Sequence, residues 1–410
     1  MHYVIIGNGI AGVSAAEAIR QLDSQGSITM IADEAHPPYS RPMISLVLEG
    51  SVTPEALAIR DPNFFSDMRI DPVLGSRVQN IDVVEKTVST EAGKTIRFDK
   101  LLIASGADPR PIAAEQCDLD HIFFMRTEAH VRDMLSALDK TRHALVLGGG
   151  LVGFKAAYGL LRRGIKVTML IKSDYPLSMQ ADEIAGKMIL KELLREGLTV
   201  KVGVEVLAFE GRDGRVAVAH TSNGEEIVCE LVVVGKGVLP ALDFVPREQV
   251  EIDLGIMVNA HMETNIVGIF AAGDCAEAFD LSRQCRWVNA IWPEAVQQGR
   301  LAGLNMAGRR VAGKGSMGRN VMRIFNMDIM TGGLVTPPED QGYEVIAMLD
   351  QAGDVYRKLV LKDNRLAGMV MVRHVEQGGV WLAMINSGTP LQVAPERLLE
   401  PGFNYRRILI

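Results

Sequence analysis

Short, dense runs of apolar and β-branched residues alternate with glycine-containing turns along this chain, and that rhythm predicts most of its elements. At the start, Tyr3-Val4-Ile5-Ile6 has the density of a buried strand. Gly7-Asn8-Gly9-Ile10-Ala11-Gly12 then forms a turn, and the alanine-rich stretch to Ile19 reads as a helix. A further strand is expected at Ser27–Ile31. The same order returns at Ala144–Leu147, Gly148-Gly149-Gly150-Leu151-Val152-Gly153, a helix to Leu161, and a strand from Lys166 to Ile171. Beyond about residue 315 the pattern changes. Val345–Leu349, Tyr356–Leu361 and Leu366–Val372 read as strands, Asp363-Asn364 as a hairpin turn, and Gly379–Ile385 as a short helix. The most apolar long stretch, Ala144 to Leu161, is broken by Lys155 and five glycines, so it is expected to form strand, turn and helix rather than a membrane span.

Composition narrows the class. Forty-three basic against 50 acidic residues leave a net charge of -7, which argues against a protein that grips nucleic acid. A chain of 410 residues has room for two or three domains. The four cysteines, Cys117, Cys229, Cys275 and Cys285, share no Cys-x-x-Cys spacing. No metal site, protein-borne iron–sulfur cluster or disulfide framework is therefore expected. Scattered cysteines, and an apolar run that begins almost at once with no targeting segment before it, suggest a reducing, cytoplasmic setting.

Each glycine turn has a physical reading. Gly7 closes the turn, Gly9 lets backbone approach a pyrophosphate, and Gly12 lets helix pack on strand, so the phosphates would sit at the helix N-terminus. Asp33-Glu34 then ends the second strand, where a carboxylate can accept both hydroxyls of a ribose. Two such turns in one chain suggest two dinucleotides, commonly a flavin and a nicotinamide, because hydride transfer needs both rings held together. The second strand after the second turn ends in Ile171-Lys172-Ser173, with no acid. Lys172 is either a partner for the 2′-phosphate of NADP or a solvated lysine, so NAD and NADP both stay open.

Together these motifs resemble the FAD-dependent pyridine nucleotide-disulfide oxidoreductases, in the branch that contains rubredoxin and ferredoxin reductases and the flavin part of NADH-dependent nitrite reductase. The resemblance covers essentially the whole chain. It implies an α/β fold with two Rossmann-like three-layer dinucleotide-binding domains and a small C-terminal α+β domain. It also implies a discontinuous FAD domain (1–112 and 246–314), a nicotinamide domain (113–245) and an interface domain (315–410). Tyr39-Ser40-Arg41-Pro42 resembles the Y-x-[RK]-P motif, which gives Arg41 a place on the flavin side of FAD. Ala104-Ser105-Gly106 resembles the turn returning from the FAD domain, and Gly237-Val238-Leu239-Pro240 the turn leaving the nicotinamide domain. Ile269–Asp274 resembles the second FAD signature, in which Gly273 makes a turn and Asp274 accepts from the ribityl chain; a helix N-cap is the other reading of Asp274. The helix from Ile291 through Pro293 resembles the one whose N-terminus faces the flavin.

The departures are equally informative. No cysteine lies between residues 1 and 116, which excludes a dithiol mechanism of the glutathione-reductase kind. Some relatives carry a lysine and a glutamate as an ion pair at positions that here are Leu46 and Lys155. Lys155 either approaches the flavin edge and nicotinamide and favours the reduced anionic flavin, or packs its stem on the helix and reaches solvent. Arg309, Arg310, Lys314, Arg319 and Arg323 fall in a stretch, 307–327, without an acid: either a dock for an acidic electron carrier or a solvated linker. Methionines 317, 322, 327, 330, 369, 371 and 384 form either an adaptable contact surface or core. The expected activity is hydride exchange between NAD(P)H and FAD, with electrons passed to or from an iron–sulfur or rubredoxin-type partner. The chain would serve as a homodimer or as the flavin subunit of a larger aldehyde or oxo-acid oxidoreductase. A free-standing NADH oxidase or diaphorase, or a redox-gated interaction protein, are the alternatives.

Overall fold

The computed structural model describes residues 1–400 and 402–403. The chain forms two compact units: one contains residues 1–42, 55–108 and 239–317, the other 43–54, 109–238 and the residues from 318 onward.

The first unit is built on a five-stranded parallel sheet, in the order Ile269–Ala271, Lys100–Ile103, His2–Ile6, Ser27–Ile31, Ile70–Val73. The strand runs are continuously apolar because both faces are covered. Val4, Ile5, Met30, Ile31, Leu101, Leu102 and Ile103 are fully buried, each contributing about 1.5–3 kcal/mol relative to exposure. Two helices, Ile10–Leu22 and Trp292–Met306, pack against each other closely. Gly299 and Gly303 allow the approach: a Cβ on either would lie 2.1 Å from the carbonyl oxygen of Ala11 or 2.4 Å from that of Ala15. This four-residue glycine spacing went unread in the sequence.

The second unit repeats the plan. Its parallel sheet runs Thr199–Val202, Lys166–Ile171, His143–Leu147, Leu231–Val234, Ile122–Phe124. Each unit also carries a three-stranded antiparallel sheet, from Val78 to Arg97 in the first and from Val206 to Val228 in the second. The helix Ile44–Glu49 belongs to the second unit, where Gly159 of the helix Leu151–Arg162 meets Leu48 and Arg163 donates to the carbonyl oxygens of Val47 and Leu48.

A five-stranded antiparallel sheet completes this unit, ordered Arg319–Ile324, Met327–Gly333, Arg365–Val372, Val355–Lys362, Glu344–Asp350, with the helix Gly378–Ser387 against it. Asp363 and Asn364 adopt φ of 49° and 56° between paired Lys362 and Arg365, the left-handed conformation that a tight two-residue hairpin requires. Asp182 ties this sheet to the parallel-sheet part of the same unit. It caps the helix Glu183–Arg195 by accepting from the Ala185 amide, accepts from the Tyr356 hydroxyl at 2.6 Å, and pairs with Lys358 at 2.9 Å. Of the methionines singled out above, 317, 327, 330, 369, 371 and 384 are buried, so they serve as core. Among the described residues, no helix is long and apolar enough to cross a membrane.

Candidate functional site

The first glycine turn joins strand to helix with almost no side-chain volume to spare. The Gly7 amide donates to the Ile31 carbonyl oxygen at 2.7 Å, and its φ of +105° lies where other residues are strained. A Cβ on Gly7 would sit 2.1 Å from the Ala104 carbonyl oxygen, and one on Gly12 would sit 2.0 Å from that of Gly7. Gly9 is different in kind. A Cβ there would meet nothing within 4 Å, so the position faces open space at the mouth of the turn.

Gly9 is also the N-cap of the helix Ile10–Leu22, and no side chain caps that end. Its first turn, with Ile10 and Ala11, therefore takes no hydrogen bond from a capping side chain, an arrangement that suits an anion. The turn itself is held from behind, where Asn8 donates to the His36 carbonyl oxygen at 2.8 Å.

Around this turn the same unit assembles its other predicted residues. At the end of the strand Ser27–Ile31, Asp33 is exposed and accepts from the Glu34 amide at 2.9 Å. Glu34 is less exposed: it accepts a hydrogen bond from Tyr39 at 2.7 Å and is ion-paired with Arg41, whose guanidinium stacks 5.2 Å from the Tyr39 ring centre. Sequence reasoning gave Glu34 and Arg41 to different parts of one ligand and missed that Tyr39 joins them. Ala104 is buried, and Gly106, at φ +76°, turns the chain out of the sheet. The Ser105 hydroxyl donates to the Ala241 carbonyl oxygen at 2.8 Å, so it braces the turn and its proton is already engaged.

Gly273, at φ +83°, abuts Ala11 and Ala295, and its amide donates to Gln298 at 2.8 Å. Gln298 is a second unread residue: it fixes the backbone just before half-buried Asp274 to the helix Trp292–Met306. That helix also begins without a side-chain cap, at Ile291, and has Pro293 in its first turn. Cys275, next to Asp274, is fully buried, and burial pushes its thiol upward, which keeps it protonated and unreactive.

The second turn reproduces these relations. The Gly148 amide donates to the Leu170 carbonyl oxygen at 2.8 Å, φ is +109°, and a Cβ would lie 2.5 Å from the Gly235 carbonyl oxygen. A Cβ on Gly153 would lie 2.0 Å from that of Gly148. Gly150 is the uncapped N-cap of the helix Leu151–Arg162, whose first residues Leu151 and Val152 are half-buried. Gly237, at φ +89°, has open space where a Cβ would be.

Lys155, on the same helix, is reached by solvent, yet surrounding protein pulls its pKa below the ordinary lysine value through desolvation. Lys172 has the exposure of a solvated lysine, and it also has a partner that its sequence neighbours do not supply. It is 76% exposed, but its ammonium is 3.0 Å from Glu205, which is also 3.1 Å from Lys236. An acid absent from the strand end is supplied by a later segment.

Arg323 is likewise not part of an acid-free patch. It makes two hydrogen bonds, at 2.6 and 2.8 Å, to Asp328, its cross-strand partner one residue beyond the basic stretch. Arg309, Arg310 and Lys314 are exposed. Open glycines at uncapped helix N-termini, with a carboxylate beyond the next strand, form a donor set that suits one dinucleotide in each unit.

Residues 1–299 match the model of the pyridine nucleotide-disulphide oxidoreductases. The chain is 30% identical over 392 residues to the NADH-dependent phenylglyoxylate dehydrogenase subunit epsilon of Aromatoleum evansii, covering 95% of this chain and 92% of that one. It is 27% identical over 401 residues to the NAD(P)H nitrite reductase of Bacillus subtilis strain 168, covering 97% of this chain but 49% of the enzyme, so it spans about half the length of that relative. Among solved structures, putidaredoxin reductase in its covalent complex with putidaredoxin superimposes with a TM-score of 0.91 at 22% identity, covering 100% of this chain and 98% of that one. At that identity the likeness is one of fold.

Proposed function

Because the chain belongs to the pyridine nucleotide-disulphide oxidoreductase family, we propose that it is an NAD(P)H oxidoreductase that binds FAD in its first unit and the nicotinamide coenzyme in its second. The observation that carries this reading is the duplicated turn: Gly9 and Gly150 each stand at an uncapped helix N-terminus, locked behind by glycines that admit no side chain. In the first unit, the amides after Gly9 would hold the pyrophosphate, Glu34 the adenosine ribose and Asp274 the ribityl chain, with Arg41 fixing Glu34. The backbone of Ala104-Ser105-Gly106, the Gly273 turn and the helix start at Pro293 complete the cradle. In the second, Gly148, Gly150 and Gly153 with Leu151 and Val152 would hold the coenzyme pyrophosphate, and Gly237 would border its path.

Bound FAD supplies a two-electron hydride acceptor that can release electrons singly. The chain's own part is to bind, orient and bias. Lys155, kept partly desolvated, is proposed to favour negative charge that develops as the ring is reduced. All four cysteines are free and burial raises the thiols of Cys229 and Cys275, which supports the proposal that electrons pass to the acceptor without a protein disulfide.

We further propose that the acceptor is an iron–sulfur or rubredoxin-type protein or subunit, and that the chain works in the cytoplasm within a larger assembly. Support comes from the relative that is itself a subunit of an NADH-dependent dehydrogenase, which this chain matches along nearly its whole length. The test is anaerobic mixing of FAD-loaded protein with NADH. Bleaching of the flavin band, reversed by an added iron–sulfur carrier or rubredoxin, is expected. No bleaching with either NADH or NADPH would overturn the reading, and steady oxygen consumption without a carrier would favour a free-standing oxidase.

A further inference from the structure

The two units differ at the end of the strand beside each glycine turn. In the first unit that strand, Ser27–Ile31, is followed after Ala32 by Asp33 and Glu34. In the second it is followed by Lys172, but the chain returns to the same spot. After the strand Thr199–Val202, the Gly203 amide donates to the Ser173 carbonyl oxygen at 3.4 Å and the Val204 amide to that of Ile171 at 3.2 Å. This hairpin of backbone delivers Glu205 to the strand end. Its own main chain is then clamped: the Glu205 amide donates to the Ser222 hydroxyl at 3.1 Å, and the Ser222 amide donates to the Glu205 carbonyl oxygen at 2.8 Å.

The carboxylate so placed has one oxygen 3.0 Å from the Lys172 ammonium and the other 3.1 Å from that of Lys236. Lys236 follows Gly235, whose amide donates to Leu147 at 2.7 Å and whose carbonyl oxygen backs the Gly148 turn. The bridge therefore spans from the end of Lys166–Ile171 to the end of Leu231–Val234, across the end of His143–Leu147, which lies between them in the sheet. A dinucleotide seated on the Gly148–Gly153 turn must run its adenosine end along these strand ends.

Resting on the reading that this unit takes the nicotinamide coenzyme, we propose that Glu205 accepts the adenosine ribose hydroxyls and makes the chain selective for NAD over NADP. Lys172 and Lys236 are the carboxylate's fixed counter-charges. The two lysines lower the Glu205 pKa through hydrogen bonding, Lys172 foremost, so it stays ionised at neutral pH. A 2′-phosphate arriving there meets a carboxylate already in possession of both ammonium groups. With the carboxylate gone, the same two ammonium groups become a phosphate site.

The experiment titrates FAD-loaded protein with NAD+ and with NADP+ by calorimetry, for the wild type, Glu205→Gln, Lys172→Met and the double variant. Expected are tighter binding of NAD+ by the wild type, a shift of at least tenfold in the ratio of dissociation constants toward NADP+ in Glu205→Gln, and loss of that shift in the double variant. Lys172→Met alone keeps the NAD+ preference, because the carboxylate remains with Lys236. A ratio unchanged within twofold in Glu205→Gln, or a preference abolished by Lys172→Met alone, overturns the inference while leaving the coenzyme reading intact. Binding of neither coenzyme by the wild type overturns both.

Discussion

The carboxylate of Glu34 is ion-paired with the guanidinium of Arg41, and the Tyr39 hydroxyl donates to the same carboxylate at 2.7 Å. A carboxylate held by two donors loses rotamer freedom before any ligand arrives, so its remaining lone pairs are aimed rather than searching. Arg41 is in this geometry a positioning residue for Glu34. A ribose that hydrogen-bonds to an ionised acceptor gains about 1.5–3 kcal/mol per bond. Glu34→Ala is therefore expected to weaken FAD binding by about tenfold or more. Arg41→Met should cause a smaller loss, because the acceptor remains but swings. Titrating flavin-free protein with FAD by fluorescence quenching measures both, and equal affinity in Glu34→Ala and wild type would remove Glu34 from the site.

The glycines of the first turn separate folding from binding. Gly12→Ala drives a Cβ to 2.0 Å from the Gly7 carbonyl oxygen, which only a shift of helix against strand can relieve, and overpacking of this kind costs about 1–3 kcal/mol or more. Gly9→Ala meets nothing within 4 Å and keeps an ordinary extended φ of -67°. The two alanines should thus behave differently in flavin-free protein: denaturant unfolding is unchanged within about 0.5–1 kcal/mol for Gly9→Ala and clearly weakened for Gly12→Ala. Both should lose FAD affinity, Gly9→Ala because a methyl occupies the approach of the phosphates. Full affinity in Gly9→Ala would show that the open space there is not used.

These contrasts also explain what the sequence could and could not disclose. Gly7, Gly12, Gly148 and Gly153 are legible because backbone geometry alone demands glycine, and Asp363-Asn364 because a tight hairpin needs two residues with positive φ. Such constraints are local, and a linear pattern records them. The partner of Lys172 is not local: Glu205 reaches it only through a loop that pairs with Ile171 and Ser173. Asp328 lies just beyond the basic stretch 307–327, and only cross-strand register brings it opposite Arg323. The methionines stay open between core and surface in the sequence for a related reason. Their spacing is the same for core and surface, and only the position of Met327, Met330, Met369 and Met371 within an antiparallel sheet covered by a helix decides the matter.

The cysteines supply a prediction that links the chemistry to stability. Cys117 and Cys285 are exposed, whereas Cys229 and Cys275 are buried. Burial raises the Cys229 thiol from an ordinary 9.0 to about 12, with the nearby Glu230 adding to the shift, and burial raises Cys275 as well. Alkylation of the native protein at pH 8 should therefore label Cys117 and Cys285 only, and leave the rate of flavin reduction by NADH unchanged. Loss of that rate on labelling would restore a thiol to the mechanism. For stability the sign follows from linkage: a thiol that ionises later in the folded chain than in the unfolded one contributes fully below the unfolded value. That contribution falls as pH rises from 9.0 toward about 12, because the unfolded chain releases its proton while the folded chain keeps it. Denaturant midpoints should consequently decline on the alkaline side of pH 9.0, the unfolded thiol value. Cys229→Ala, although less stable at pH 8 through its lost packing, should decline less steeply over the same interval. A variant with the wild-type slope would mean that Cys229 is already reached by solvent base in the folded protein, and native-state alkylation above pH 9.0 would then label a third thiol.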